Sequence, residues 1–400
     1  MSEINFDPVT LTQSLVKCAS VTPKDEGALT VVENHLSAIG CDCHPLTFSG
    51  NNSYEVKNLF ATIGNEGKHF VYAGHTDVVP VGNESSWKYP PFSAKIDEGK
   101  LYGRGSEDMK SSVACFISAA KRFVDKYKNL PGKISFIITG DEERDSVNGT
   151  PRILEWASKQ NYKFDHCLVG EPTSKNEVGD KVKIGRRGSV SFFFQVKGIQ
   201  GHTANSHLAE NSSHHLVNLL NSILEEPLDE GNENFLPTSV QIATIDIGNP
   251  VQNVIPELAK ATVNIRFNDM HSSDSLIKWI DNKIEKIFSK LENASCTYTY
   301  DATAESFLNK AGDLYNIISK SISDVTGRNS PPEQATDGGT SDARYIKNYC
   351  EVVELGLRNQ TLHKVDEFVF VEDIIKLESC LLYTSPSPRD VEESRMPSSA

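Results

Sequence analysis

Three things are scarce or absent in this 400-residue sequence. No apolar stretch is long enough to span a bilayer, so no transmembrane helix is expected. Positive charge is in deficit: 40 Lys and Arg stand against 54 Asp and Glu, for a net charge of −14. That argues against a nucleic-acid partner, which requires a basic face. None of the eight cysteines stands at C-x-x-C spacing from another. Cys41-Asp42-Cys43 is the only close pair, and its spacing suits neither a zinc ribbon nor a redox motif. The start of the chain, Met1 to Asp7, has neither a charged n-region nor an apolar h-region, so no signal peptide is expected. Reduced thiols and the lack of targeting signals together suggest a cytoplasmic location.

What remains is an ordinary globular composition, 38% hydrophobic and 24% charged. Four hundred residues exceed what one core usually accommodates, so two domains are expected. Apolar runs at 59–63, 69–74, 133–139, 165–170 and 352–355 read as strands. Helical patterns lie between them, at about 109–127, 150–159 and 311–325, and Gly40 closes an early amphipathic helix. This alternation predicts an α/β domain with a mostly parallel central sheet and helices on both faces. From about residue 180 the order changes to β-α-β-β-α-β, the pattern of a ferredoxin-like α+β sandwich inserted into the first domain. The expected division is 1–181 and 298–383 for the first domain and 182–297 for the insert. Residues 384–400, rich in Ser, Pro and Arg, read as a disordered tail, with a non-native extension as the alternative.

The chemistry gathers at the strand ends. His75 and Asp77 leave the strand at 69–74, and Asp141, Glu142 and Glu143 follow 133–139. Glu171 follows 165–170, and His363 lies beyond 352–355. Asp108 opens a helix, where Asp often serves as an N-cap. In a parallel sheet these ends converge on one edge, where open α/β folds bind their ligands. Carboxylates clustered without a cation would have strongly raised pKa values, and a divalent metal removes that penalty. Two His among carboxylates suit zinc or a similar ion better than calcium, whose ligands are all oxygen.

Nine motifs in this order carry a resemblance: GHTDVVP, GRGxxDMK, TGDEE, GEPT, GRRGS, GxxGHTA, NVIP, GGTSDAR and HxxDE. Over roughly residues 7–382 the sequence resembles the dinuclear zinc amidohydrolases and peptidases, the group with carboxypeptidase-, aminoacylase- and acetylornithine deacetylase-like members. Within it the motifs are most similar to a branch that cleaves a succinyl amide from a diamino dicarboxylic acid in bacterial lysine and peptidoglycan-precursor synthesis. Acetylornithine-type deacylases and dipeptidases are the nearby alternatives, and a non-catalytic binding homologue is a remote one.

The resemblance implies two Zn2+ per chain, with Co2+ able to substitute. His75 and Glu171 would hold one ion, Glu143 and His363 the other, and Asp108 would bridge them. Asp77 would orient His75, and Glu142 would be the general base. A strained or cis peptide is implied after the bridging acid, at Asp108-Met109. His202 would stabilise the oxyanion from the opposite subunit of a homodimer formed through the insert. A small dicarboxylate amide substrate needs cationic and amide donors. The candidates are Arg186, Arg187, Asn253, Arg266 and Arg344, with Gly338, Gly339, Thr340 and Ser341 at a helix N-terminus. Three departures bear on substrate preference: Ser106-Glu107 where two small residues are usual, Asn205-Ser206-His207 for Tyr-Pro-His, and Leu357-Arg358 where Pro is common after the Gly.

Overall fold

A computed structural model describes residues 4–50, 52–127, 129–309 and 312–384. It divides into two compact units. One holds the residues up to Ile184, then Asn309–Ala335 and those from Ser341 on; the other holds Gly185–Leu308 and Thr336–Thr340.

The first unit is built on an eight-stranded mixed sheet. Its middle four strands, in order Lys133–Thr139, His69–His75, His166–Val169 and Glu351–Glu354, are mutually parallel. Antiparallel pairs flank them, Ser53–Ile63 with Lys133–Thr139 on one side and Glu351–Glu354 with Lys181–Lys183 on the other. Buried on both faces, the middle strands are continuous apolar runs. Every residue of His69–His75 is buried, as are Phe136, Ile137 and Ile138. Tyr72 stacks on Phe116 of the helix Ser111–Lys126 with ring centroids 4.5 Å apart.

The strand Asp42–Gly50 is an addition to the sequence reading. It pairs antiparallel with Ser53–Ile63 at the sheet edge. It holds Pro45, which an edge strand tolerates because no neighbour needs its missing N–H. The expected helix from 109 begins later, at Ser111, and Asp108 is not its N-cap. Asp108 (φ −122°, ψ 99°) and Met109 have non-helical backbone, and the peptide between them is cis. The final helix runs Val371–Thr384. Thr384, assigned above to the tail, is therefore helical and buried; residues 385–400 lie outside the described residues.

The second unit has the order β-α-β-β-α-β. Its four-stranded antiparallel sheet runs Ser239–Asp246, Leu258–Phe267, Gly188–Lys197, Ser295–Ala304. Alternation places Val190, Phe192, Phe194 and Val196 in the core against Leu216, Leu219 and Ile223 of the helix Ser212–Leu224 and Leu276 and Ile280 of Ser273–Phe288. Truncating one of these phenylalanines to alanine costs about 3–5 kcal/mol. The unit extends to Leu308 rather than 297. Ser295–Ala304 pairs along Gly188–Lys197, and Phe307–Leu308 pairs with Gly185–Arg186, so a boundary at 297 would cut a paired strand.

Candidate metal centre

The four parallel strands deliver their following residues to one sheet edge. His75 closes its strand, opposite Thr139 in the neighbouring one. Glu142 and Glu143 come three and four residues after Thr139, Glu171 two after Val169, and His363 on the loop after Glu354. Asp108 enters from the turn Ser106–Lys110.

That turn is seated by an exchange of volume. The Met109 side chain is fully buried beside Gly74 and Gly170. A Cβ on Gly74 would lie 2.4 Å from the Met109 Cε, and one on Gly170 would lie 2.6 Å from it. Bare backbone just before His75 and Glu171 is what admits the residue after Asp108.

The resulting contacts are short. Asp108 Oδ1 lies 3.1 Å from His75 Nε2, and its Oδ2 lies 3.2 Å from His363 Nε2. The second histidine also faces Glu143 Oε1 at 3.2 Å. His75 Nε2 is 3.7 Å from Glu171 Oε1 and 4.0 Å from Glu142 Oε2. Among the described residues, two sets offer ligand atoms that all lie within 4.8 Å of one another: His75, Asp108 and Glu143, and His75, Glu142 and Glu171. His75, Asp108 and Glu171 are buried, Glu142 and Glu143 partly so, and His363 lies on the solvent side. Nitrogen and carboxylate donors arranged around one shared carboxylate fit a pair of transition ions.

The electrostatics point the same way. Burial, then the neighbouring Glu171 charge, pushes Glu142 well above the usual carboxylate range. Burial and the Asp108 charge raise Glu143 to about 7. Hydrogen bonds to Asp108 and Glu143 raise His363 to about 10. Burial opposes the charged form of His75, yet Asp108, Glu142 and Asp77 outweigh it and raise its pKa. Burial also works against an ionised Asp108, but the two histidines hold it well below the ordinary range. A divalent cation would relieve the repulsion that raises Glu142 and Glu143.

Asp77 has a broader task than the sequence suggested. His75 Nδ1 lies 3.0 Å from the backbone oxygen of Asp77 and 3.6 Å from its carboxylate. The carboxylate itself accepts from the Thr22 hydroxyl (2.7 Å) and from the backbone N–H of Glu142 and Glu143 (3.2 Å each). It therefore fixes the turn that carries both acids. From the other side, Asp342 accepts from Ser146 (3.0 Å) and Thr150 (2.6 Å) and steadies the same loop. Sequence reasoning passed over Thr22 and Asp342, although an acid in SDAR beside a presumed substrate Arg was a signal.

The remaining candidates fall as follows. Arg344, in the first unit, lies over the Tyr345 ring at 4.7 Å, and the charges of Asp342 and Glu142 act on it. Ser341 is fully buried and donates its hydroxyl to Glu354 (2.6 Å), so that hydroxyl is already engaged. The helix expected from Ser341 is a single short turn, Ala343–Ile346. Arg186, Arg187, His202, Asn253, Arg266, Gly338, Gly339 and Thr340 all belong to the second unit. There Arg186 donates to the Gly339 carbonyl (2.9 Å), and Arg266 donates to Asn264 (3.1 Å). His202 and Asn253 are exposed neighbours: Thr203 N donates to the Asn253 carbonyl at 3.0 Å, and His202 pairs with Val254.

The fold and this edge cluster define a metallohydrolase class, and the sequence places the chain in it: the chain belongs to peptidase family M20/M25/M40, whose pattern it matches over residues 71–384. It is 44% identical over 372 residues to the succinyl-diaminopimelate desuccinylase of Parvibaculum lavamentivorans, covering 93% of each chain. Among solved structures it resembles an M20 metallo-carboxypeptidase from Sulfolobus solfataricus, with TM-score 0.75 and 17% identity over 94% of this chain and 98% of that one. A dinuclear metal-binding M20 peptidase from Bacillus subtilis aligns with TM-score 0.68 and 13% identity over 94% and 96%. No helix among the described residues is long and apolar enough to cross a membrane.

Proposed function

We propose that this chain is a two-zinc amidohydrolase that cleaves N-succinyl-LL-2,6-diaminopimelate to succinate and LL-diaminopimelate, a step towards lysine and peptidoglycan precursors. One observation carries the metal reading: the two oxygens of Asp108 face two different histidines at 3.1 and 3.2 Å. A single carboxylate so placed suits two ions roughly 3.5–4 Å apart. His75 and Glu171 would hold one ion, His363 and Glu143 the other, and Co2+ would substitute for Zn2+. The substrate reading rests on the desuccinylase relative that matches 93% of the chain.

When bound, the ions acidify water from about pKa 15.7 towards 7 and polarise the amide carbonyl. Glu142 takes the water proton and returns it to the departing amine. Its place on the turn is set by Asp77, which accepts from its N–H. The His202 Nδ1 accepts from Ala204 N–H at 3.0 Å, so the neutral ring carries its proton on Nε2. That proton is what an oxyanion needs. We assign its delivery to a second copy of the chain, joined through the second unit. There Ser239–Asp246 is an edge strand with Ile245 exposed, a template for pairing with another copy. A fully active monomer would overturn that assignment. Arg186, Arg187, Arg266, Arg344 and Asn253 are the donors we assign to the two ends of the substrate. Eight unpaired thiols fit a reducing compartment, and we place the enzyme in the cytoplasm.

Parallel hydrolysis assays of N-succinyl-diaminopimelate, N-acetylornithine and simple dipeptides test the substrate. We expect kcat/KM for the succinyl compound to exceed the others by at least roughly 100-fold, since a site built for a second carboxylate leaves polar groups unpaired with the rest. A preference for acetylornithine or a dipeptide would overturn the substrate.

The metal reading also fixes the sign of a pH effect. His363 has a folded pKa raised to about 10, so its contribution is complete below its unfolded value and is lost as pH rises through 10. Glu143 is raised to about 7, so the folded form takes up protons that the unfolded chain does not, and this too fades between the unfolded value and about 7. Metal-free protein therefore loses stability as pH climbs from 5 to 9, while bound ions take over the role of the protons. The Tm gap between zinc-loaded and metal-free protein should widen over that range; a gap that narrows would contradict the ligand set.

A further inference from the structure

The loop that carries His363 has no regular structure, and His363 itself sits at φ +60°. One fully buried carboxylate holds it. Glu107 accepts from the backbone N–H of Gln360 (2.8 Å), Thr361 (2.8 Å) and Leu362 (3.1 Å), and from the Thr361 hydroxyl (2.5 Å). The return connection comes from Glu367. Its carboxylate accepts from the N–H of Glu107 (2.8 Å) and Asp108 (3.3 Å) and pairs with Arg104 at 2.6 Å. Arg104 also reaches the His363 carbonyl at 3.4 Å. Each segment thus offers a buried acid to the backbone of the other. Residues 104–108 and 360–367 are tied in both directions.

Glu107 adjoins Asp108, the residue between the two histidines. The same short turn therefore presents the shared carboxylate and anchors the loop of the second histidine. A carboxylate suits this place because it only accepts, and four donors converge on it. An amide would turn an NH2 group towards N–H donors, and the shorter Asp would not reach.

We propose that Glu107 is a positioning residue that sets His363, and with it the Glu143–His363 half of the metal centre, by gathering the three N–H groups of Gln360–Leu362. Ser106-Glu107, which at the sequence level looked like a departure affecting substrate preference, is then part of the metal centre's frame. The inference rests on the two-ion reading above. It concerns ion affinity, and KM is not its measure.

The test is Zn2+ titration of metal-free protein by calorimetry, with Co2+ absorption as a second signal. Wild type should take up two ions. E107Q should keep one near wild-type affinity and bind the second about 10–100-fold more weakly, the usual consequence of removing an outer partner of a ligand. Its kcat should fall, its KM stay within about twofold, and added Zn2+ should restore kcat. T361V keeps the three backbone N–H bonds to Glu107 and loses the hydroxyl's bonds to Glu107 and to Phe368, and should weaken the second ion less. T361S, which keeps the hydroxyl, should recover what T361V loses. Circular dichroism of metal-free E107Q reports whether it folds; if it does not, the T361V and T361S pair decides. Two ions at wild-type affinity in E107Q, or in T361V when E107Q is unfolded, overturn the positioning role alone. Equal weakening of both ions also overturns it. A wild-type chain that binds fewer than two ions overturns the two-ion reading, and this proposal with it.

Discussion

Asp108→Ala leaves a chain that folds but retains no tightly bound pair of ions, and amide hydrolysis falls by roughly 10⁴-fold or more, the several kcal/mol that paired ions supply to the transition state. The size follows from the geometry. Each oxygen of Asp108 serves a different histidine, so its loss weakens both halves of the centre at once. His75, Glu171, Glu143 and His363 each touch only one half in the proposed set. Folding should survive, because the side chain supplies no apolar core volume, although the metal-free variant gives up the ion pairs of Asp108 with His75 and His363. Elemental analysis after dialysis and a stopped assay read the two effects. An Asp108→Ala protein with two ions per chain would remove the shared-carboxylate assignment.

Glu142→Gln separates a base from a ligand. The distances alone leave Glu142 almost as near to His75 as Glu171 is, 4.0 against 3.7 Å. If Glu142 moves the proton, the variant keeps two ions and substrate affinity while turnover drops about 10²–10⁴-fold. If it is a ligand, metal content falls with turnover. The backbone reason to favour the base is that Asp77 holds the N–H of both Glu142 and Glu143. Consecutive side chains on a fixed turn point in different directions, so one serves the ion while the other is left for the water. Measured ion content near two, with kcat collapsed and KM little changed, is the expected result.

How far the sequence reached is clear from particular residues. The sheet edge was legible because each middle strand is a buried apolar run that stops at a polar residue: His75, Asp141 to Glu143, and Glu171. Periodicity finds such runs because burial on both faces leaves no polar alternation. Asp42–Gly50 was not legible, since an exposed edge strand with Pro45 lacks that run. The start of the helix at Ser111 was misplaced because an Asp before a helical pattern reads as a cap, while here the chain turns sharply through Asp108 and Met109 first. The supports were the least visible part. Glu107, Arg104 and Glu367 meet across more than 250 residues of chain, and nothing local in sequence joins them.

The strand ends that bear the site belong to adjacent parallel strands in the middle of one mixed sheet. Neighbouring strands lie about 4.8 Å apart as a consequence of backbone hydrogen bonding. Side chains leaving level positions on such strands start out nearly at the separation that two ions sharing ligands demand. The pitch of the sheet therefore acts as a ruler for the centre. His75 and Glu171, each two residues beyond the paired Ala73 and Val169, take their spacing from that pitch, so this side of the proposed centre is tied to peptide geometry, while the side that bears His363 depends on how its loop is held.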